Sequence, residues 1–330
     1  MKDDSREEIF DVSTKLLVGT EVFKRPRSFY EKFKNNFYIK VSDGTEIGAF
    51  LYENEEYMKM ADKKEKVDCL LFLHGSGTER YFANEYLPIE EILHMSGGPF
   101  VLLVIDYRHF ADSNEKFTKK GVCLDIDAGY NWLMTNYNVN KITFVAHSFG
   151  CAITSEYFKY KNTGIVKDYD LKGIYYDEND SESDFSTEDG SEGDKNELKN
   201  KIDDFVSTTH VDEGKIKLRK DIKVILLAPF SKMDTALEGY FLSKIYKMMF
   251  SEYYSFLHGL FEFNVIDNVK YMEDVTIYHG LADSILPVYY TEEIQKKNSH
   301  VKTKYFKEKG HCSILTDVDV WTSIFSDIYK

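Results

Sequence analysis

The residues best able to do chemistry are a serine, an aspartate and a histidine that occur in that order along the chain. Ser148 lies near the end of residues 144–150, a run of β-branched and aromatic residues with Ala146 and Gly150 two positions on either side of the serine. This spacing predicts a strand, a sharp turn that exposes a nucleophilic hydroxyl, and the start of a helix. A serine after a strand is also a common helix N-cap, so this pattern alone leaves both interpretations open.

Two later strand-like runs are each followed by an ionisable residue that could activate the serine. Asp283 follows residues 275–280, and His311 follows residues 304–306. A serine hydroxyl is scarcely ionised at neutral pH, so it attacks a carbonyl carbon only when an imidazole removes its proton. We therefore predict His311 as the general base and Asp283 as the acid that holds the imidazole in its productive tautomer.

A glycine-rich turn upstream predicts the part of the site that binds developing negative charge. The apolar residues 69–73 are followed by His-Gly-Ser-Gly-Thr at residues 74–78, which we call the glycine loop. Glycines on either side of Ser76 let the backbone come close to a substrate oxygen. We expect the backbone N–H groups of Ser76 and Phe149 to form an oxyanion hole.

Together these motifs resemble those of the α/β-hydrolase-domain serine hydrolases, a group that includes monoacylglycerol lipases, lysophospholipid lipases and protein depalmitoylases. The resemblance spans about residues 36–330. It rests on the segments 73–77, 106–108, 146–150, 279–287 and 310–311, all in the family's order.

The chain departs from the family's pattern at two places. Residues 109–111 are His-Phe-Ala where the family usually has glycine turns, and Ala146 replaces a glycine before the serine. Neither change removes a catalytic group. Some members of this fold place the acid earlier in the chain, which makes Asp234 the alternative to Asp283. The Gly-x-x-Asp-x-x-x-Pro setting of Asp283, after a strand, favours Asp283.

Apolar periodicity predicts the elements that must position these residues. We expect strands at residues 37–41, 46–52, 69–73, 100–105, 142–146, 224–227, 275–278 and 303–306, and helices near 83–95, 121–136, 149–160, 289–297 and 317–329. Residues 1–35 form a polar lead-in, and the first two strands form a hairpin turned at 42–44. The alternation that follows predicts an α/β-hydrolase fold over 36–330, with a mostly parallel eight-stranded sheet and helices on both faces.

One interruption of this alternation is acidic. Residues 177–194 contain nine Asp or Glu and no Lys or Arg, so most of the net charge of −14 lies there and the remainder of the chain is only mildly acidic. Such a composition cannot bury enough apolar surface to offset the ordering entropy, so we expect a disordered insertion at about 175–200. A tolerated surface expansion is one interpretation. A regulatory segment phosphorylated at Ser181, Ser186 or Ser191 is the other.

A second interruption, at about 234–263, is rich in aromatic residues and methionine. In the fold suggested by the resemblance, an insertion here forms a helical cap over the serine. We expect Phe241, Met249, Phe250 and Tyr253 to line a pliable acyl-chain pocket. A helix with this spacing could equally pack on the core.

Composition limits the other functional classes. The four cysteines have no metal-ligand spacing, and the chain has no His-Glu-x-x-His, Gly-x-Gly-x-x-Gly or Walker motif, so we predict neither a metal nor another cofactor. The acidic balance argues against nucleic acid as a partner. The opening residues do not resemble a secretory signal, and no run approaches the length of a membrane span. We expect a cytoplasmic monomer.

Peripheral membrane contact stays open as a further possibility, through basic residues of the lead-in. Lys24, Arg25 and Arg27 form a short basic cluster that could meet lipid headgroups. A solvated face is the alternative, and so short a cluster favours it.

The function predicted from the sequence is hydrolysis of an ester or thioester with an apolar acyl chain, through an acyl-enzyme. A small-molecule lipid ester such as a lysophospholipid or monoacylglycerol is the leading substrate. Protein S-depalmitoylation is the alternative, because the two reactions differ only in the leaving group. A non-catalytic scaffold with the same fold is the remaining alternative.

Overall fold

The computed structural model describes residues 25–61, 65–113, 116–169, 206–210, 218–233, 236 and 262–330. The acidic insertion predicted at 175–200, with its three candidate phosphorylation sites, lies outside the described residues. So do residues 1–24 of the lead-in and all of the cap predicted at 234–263 except residues 236, 262 and 263.

Eight strands form the central sheet, and their bounds agree closely with the pattern of apolar residues. The strands are β1 Asn36–Lys40, β2 Glu46–Glu53, β3 Val67–Leu73, β4 Phe100–Ile105, β5 Val139–His147, β8 Lys223–Leu227, β9 Asp274–Gly280 and β10 Lys302–Phe306. Their order across the sheet is β1-β2-β4-β3-β5-β8-β9-β10. Strand β2 is antiparallel to both of its neighbours, and the remaining pairs are parallel. The predicted mostly parallel eight-stranded sheet is confirmed.

The central strands are apolar along their whole length because both of their faces are covered. In β3, Leu71 and Leu73 enter one hydrophobic core while Leu70 and Phe72 enter the other. Successive side chains of a strand point to opposite faces, so a strand that is buried on both sides needs an unbroken apolar run. This arrangement confirms the predicted layers of helix on both faces of the sheet.

The helices differ from prediction mainly where one becomes two. They are α1 Arg27–Tyr30, α2 Glu55–Lys59, α3 Arg80–Tyr86, α4 Ile89–Met95, α5 Lys119–Asn136, α6 Phe149–Thr163, α7 Val265–Asn268, α8 Tyr289–Lys297, α9 Ser313–Thr316 and α10 Val318–Ile328. The single helix expected near 83–95 is broken because Pro88 lacks an N–H donor and holds Leu87 in an extended conformation. Asp317 separates the last two, since its side chain caps α10.

A two-stranded antiparallel sheet, with one strand on each side of the acidic segment in sequence, was not predicted. Strands β6 Ile165–Tyr169 and β7 Val206–His210 pair in antiparallel fashion, outside the main sheet. Gly164, with φ of 72°, ends α6 in the left-handed conformation and turns the chain into β6. The pairing brings residues 169 and 206 close together.

The sheet places the candidate chemical groups along one edge. The glycine loop follows β3, Ser148 follows β5, Asp283 follows β9 and His311 follows β10. Because these strands are parallel, their carboxyl ends face the same way, and residues far apart in sequence can meet there.

Candidate active site

Ser148 occupies a strained turn between β5 and α6. Its φ of 53° and ψ of −118° lie outside the regions that residues with a side chain normally adopt. The turn is held by its backbone N–H, which donates to the carbonyl of Leu227 at 2.9 Å. A Cβ on Gly150 would lie only 2.3 Å from the carbonyl oxygen of Leu73, so only glycine lets α6 start this close to β3. The small residue two positions after the serine therefore has a direct steric cause.

The structure brings the three predicted catalytic side chains together. Ser148 Oγ lies 2.9 Å from His311 Nε2, and His311 Nδ1 lies 2.8 Å from Asp283 Oδ2. The carboxylate can only accept, so Nδ1 carries a proton and Nε2 is free to accept the serine hydroxyl. In this arrangement a proton can move from the serine to the imidazole without a change in side-chain position.

Asp283 is held in one orientation by three hydrogen-bond donors. Its Oδ1 accepts the backbone N–H groups of Ile285 at 2.9 Å and Leu286 at 2.8 Å, while Oδ2 accepts from His311. His279 Nε2 lies 3.6 Å from Oδ2. Burial alone would raise the pKa of Asp283, but these hydrogen bonds and the charge of His311 outweigh it and hold the pKa well below its usual range. The carboxylate is therefore ionised at neutral pH.

The loops that carry Asp283 and His311 are joined by backbone hydrogen bonds. The backbone N–H of Leu281 donates to the carbonyl of Phe306 at 2.9 Å, and that of Ala282 donates to the carbonyl of Lys309 at 3.0 Å. A Cβ on Gly280 would lie 1.9 Å from that same Lys309 oxygen, which explains the glycine at the end of β9. The separation of Asp283 and His311 is thus fixed by backbone contacts as well as by their own hydrogen bond.

His147, immediately before the serine, makes a specific contact with His311. Its Nε2 donates to the backbone carbonyl of His311 at 2.9 Å, and the two rings are 4.8 Å apart. Burial and the nearby charge of His311 lower the pKa of His147 to about 3. His147 is therefore neutral, and it ties the turn before Ser148 to the loop that carries His311. A carbonyl partner 164 residues away leaves no signal in the local sequence.

The glycine loop passes directly over the serine. A Cβ on Gly75 would lie 3.2 Å from the Cβ of Ser148, so the backbone at this point is in contact distance of the nucleophile. The carbonyl of Gly75 accepts from Thr78 Oγ1 at 2.9 Å, which closes the turn and leaves Ser76 exposed at its tip. Phe149 is the first residue of α6, where helical N–H groups have no partner within the helix. The assignment of Ser76 and Phe149 as oxyanion donors stays a prediction.

The unusual loop after β4 adopts glycine-like conformations without glycine. His109 has φ of 74° and Ala111 has φ of 50°. The family resemblance places glycine turns in this region, and the backbone is bent as glycine would allow. Phe110, between them, packs its ring on His74 at a centroid distance of 5.0 Å. The strained loop therefore supports the start of the glycine loop.

Several other sequence predictions can be placed only in part. Asp234 and the expected acyl-pocket residues lie outside the described residues; the pocket residues are Phe241, Met249, Phe250 and Tyr253. Within the described part of the chain, no cluster of three or more His, Cys, Asp or Glu side chains is suited to a metal ion. Among those same residues, no helix combines the length and the apolar character that crossing a bilayer requires.

Two of the three basic residues considered as a headgroup patch are engaged within the protein. Arg25 forms an ion pair with Glu79 at 2.9 Å, and Arg27 forms one with Glu46 at 2.9 Å. Arg27 also lies over the ring of Tyr38, 3.6 Å from its centroid. These contacts favour a structural role for the two arginines.

Comparison with known proteins gives distant matches. Protein ABHD12B of Homo sapiens is 23% identical over 276 residues, which cover 78% of this chain and 60% of that protein. The chain therefore spans less than two thirds of the length of this curated relative. No protein-family model matches the chain.

Several solved structures are similar in three dimensions. The alpha-beta hydrolase from Vibrio vulnificus has a TM-score of 0.60 at 12% identity, covering 97% of this chain and 93% of its own. The esterase Pf2001 from Pyrococcus furiosus has a TM-score of 0.53 at 16% identity, covering 93% of both chains. Est1E from Butyrivibrio proteoclasticus also has a TM-score of 0.53, at 15% identity, covering 90% of this chain and 98% of its own.

Proposed function

This chain has the α/β-hydrolase fold, and we propose that it is a serine hydrolase that cleaves carboxylic esters through an acyl-enzyme intermediate. The observation that carries the proposal is the continuous hydrogen-bonded series from Ser148 through His311 to Asp283, at 2.9 and 2.8 Å. Structural likeness to esterases supports the same class of reaction.

The first half of the proposed reaction forms the acyl-enzyme. Ser148 Oγ attacks the carbonyl carbon while its proton moves to His311 Nε2, and Asp283 stabilises the imidazolium that results. The negative oxygen of the tetrahedral intermediate is bound by the backbone N–H groups of Ser76 and Phe149. His311 then gives its proton to the leaving alkoxide, which departs as the alcohol.

The second half reverses these roles with water. His311 removes a proton from a water molecule as the water oxygen attacks the acyl carbon. The intermediate collapses, Ser148 leaves as an alkoxide that takes the proton back from His311, and the carboxylic acid is released. No redox step or metal ion is needed for this balance.

The proposed acyl group is apolar, and a lipid ester such as a lysophospholipid or monoacylglycerol is the proposed substrate. Aromatic rings stand next to the nucleophile: Phe149 packs on Phe263 at 5.4 Å and on Phe117 at 5.9 Å. All three side chains are buried. The aromatic and methionine content of residues 234–263 supports the same interpretation.

The proposal is tested with a fluorophosphonate probe and an ester panel. We expect the probe to label the wild type and not Ser148→Ala, since the probe reacts with an activated serine. Long-chain esters should then be turned over faster than acetyl esters of the same alcohol. Failure of the wild type to react under conditions where it is folded would instead favour a non-catalytic scaffold. Equal turnover of short and long acyl chains would reject the apolar pocket, and faster turnover of acyl thioesters than of lipid esters would favour the depalmitoylase.

A further inference from the structure

The buried carboxylate of Glu79 lies directly after the glycine loop and accepts hydrogen bonds from two side chains of the lead-in, Arg25 and Tyr30. Glu79, the residue between Thr78 and α3, is 1% exposed. Its Oε1 accepts from Arg25 at 2.9 Å, and its Oε2 accepts a hydrogen bond from the hydroxyl of Tyr30. Arg25 and Tyr30 precede the first strand of the hydrolase sheet, so the lead-in reaches across to the end of the glycine loop.

The described part of the lead-in, from Arg25 onward, packs on α3. The guanidinium of Arg25 lies 4.6 Å from the ring centroid of Phe29 and 4.5 Å from that of Tyr81. The ring of Phe29 packs edge-on to Tyr81 at 5.1 Å. Tyr30 is fully buried, and its ring stacks under the guanidinium of Arg80 at 3.7 Å. These contacts leave Arg25 and Tyr30 little freedom to release Glu79.

Both ends of the glycine loop meet a second buried carboxylate. Asp106, which follows β4, accepts the backbone N–H of Arg80 at 2.6 Å, just beyond the loop. Its Oδ1 also lies 3.3 Å from Nε2 of His74, the first residue of the loop. Asp106 therefore binds the chain just beyond the loop and lies close to its first residue, and Glu79 lies between the loop and Arg80.

The lead-in adds a second positive charge to this cluster of acids, which Arg80 alone does not neutralise. Glu79 and Asp106 are buried acids, the side chain of Asp112 is 4% exposed, and Arg80 binds both Asp106 and Asp112. A second positive charge is needed next to Glu79, because an unpaired buried charge is costly. Arg25 supplies it from a partly exposed position, with 27% of its side chain accessible.

Glu79 is consequently close to a change in protonation at neutral pH. Burial and the negative charge of Asp106 raise the pKa of Glu79 to about 7, against the opposing effects of the Tyr30 hydrogen bond, Arg25 and Arg80. Below that pH the carboxyl group is protonated and its ion pair with Arg25 is lost. Removal of Arg25 would raise the pKa further, since Arg25 favours the ionised form.

We propose that Arg25 and Tyr30 are positioning residues that hold the glycine loop in place over Ser148 by binding the Glu79 carboxylate. The lead-in is then part of the working enzyme and not an accessory. This inference rests on the proposed function, because the loop matters only if its backbone N–H groups bind the oxyanion. A small displacement of such a donor lowers the rate of the chemical step and leaves ground-state binding largely unchanged.

The test compares Arg25→Gln and Tyr30→Phe with Arg27→Gln in the full-length chain. Arg27 belongs to the same lead-in, but its partner is Glu46 on the surface, with side chains 48% and 43% exposed. Turnover of a soluble ester is expressed per serine labelled by fluorophosphonate, so that misfolded molecules do not count. We expect kcat to fall about tenfold in the first two variants with KM within about twofold, and Arg27→Gln to match the wild type.

A change in pH dependence separates this role from general destabilisation. In Arg25→Gln the acid limb of the kcat profile should move to higher pH, because Glu79 then requires higher pH to ionise. In a Glu79→Gln background, Arg25→Gln should have no further effect on kcat. The inference is overturned if kcat per labelled serine is unchanged in both lead-in variants, if KM alone changes, or if Arg27→Gln has the same effect. If the wild type does not react with the probe at all, the proposed function fails first.

Discussion

Replacement of Asp283 by asparagine should abolish most of the activity while leaving the fold intact. In the structure, Oδ1 of Asp283 accepts two backbone N–H groups, from Ile285 and Leu286, and Oδ2 accepts the Nδ1 proton of His311. An asparagine would keep its carbonyl oxygen on the two backbone donors, because its NH₂ group cannot accept them. The NH₂ group would then face Nδ1 of His311.

That orientation forces the wrong tautomer on the base. With an N–H donor opposite Nδ1, the neutral imidazole carries its proton on Nε2, which is the nitrogen that lies 2.9 Å from Ser148 Oγ. The base could no longer accept the serine proton. The loss expected for such a change is about 10⁴-fold in kcat, equivalent to about 5 kcal/mol of transition-state stabilisation.

The assay is hydrolysis of a chromogenic ester by purified wild type, Asp283→Asn and Asp234→Asn. Asp234 is the alternative acid suggested by the sequence, and its replacement should leave kcat within about twofold of the wild type. Circular dichroism and the melting temperature show whether the variants are folded. Retention of more than a tenth of the wild-type kcat by Asp283→Asn, or a larger loss in Asp234→Asn, would refute the assignment of the acid.

Three further predictions follow from the geometry around the serine. The pKa of His147 is about 3 in the folded protein and about 6.5 in the unfolded chain, so the unfolded state binds more protons between these pH values. Acidification from pH 7 to 5 should therefore lower the free energy of unfolding of the wild type by about 2 kcal/mol, and denaturant titration should show that His147→Gln does not have this loss. Gly150→Ala should lose about 1 to 3 kcal/mol of stability and most of its activity, whereas Gly98→Ala, which meets no atom within 4 Å, should match the wild type in both assays. Since Ser148 has φ of 53°, Ser148→Gly should be more stable than Ser148→Ala by roughly 1 kcal/mol and should melt at a higher temperature. Equal melting temperatures would argue against strain at the turn.

The candidate site was predictable from the sequence where its chemistry imposes a local pattern. A nucleophile on a tight turn needs small neighbours, and Gly150 reflects a carbonyl oxygen 2.3 Å from the position of a Cβ. The acid and the base follow strands, and parallel strands bring their carboxyl ends to one edge. The strands and their order along the chain could also be predicted, because buried parallel strands such as β4 are uniformly apolar.

Contacts between distant segments were not predictable, because they depend on which loops the fold brings together. The hydrogen bond from His147 to the carbonyl of His311 and the ion pair from Arg25 to Glu79 both join distant parts of the chain. Neither residue type alone indicates its partner. From the sequence, Arg25 is expected to be a charged surface residue. In the structure it forms an ion pair with the buried Glu79.

Two other differences between the predicted and the observed elements concern sequence patterns that were hard to interpret. Pro88 interrupts residues 83–95, and a proline within a helical pattern usually ends or kinks the helix. The apolar spacing on either side made the segment resemble one helix. The pairing of β6 with β7 was missed for another reason. The two strands are separated by a long acidic segment, and each is too short to show a clear alternation of apolar and polar residues.

The backbone contacts between the loops of Asp283 and His311 also have an evolutionary consequence. Since Leu281 and Ala282 are bonded to Phe306 and Lys309, the carboxylate and the imidazole are aligned before either meets the serine. The segment of helix α8, after Leu286 and before β10, can then accept insertions, deletions and new surface chemistry without separating the pair. Natural variation and engineering could therefore reshape that flank of the enzyme while its proton-transfer geometry is inherited unchanged.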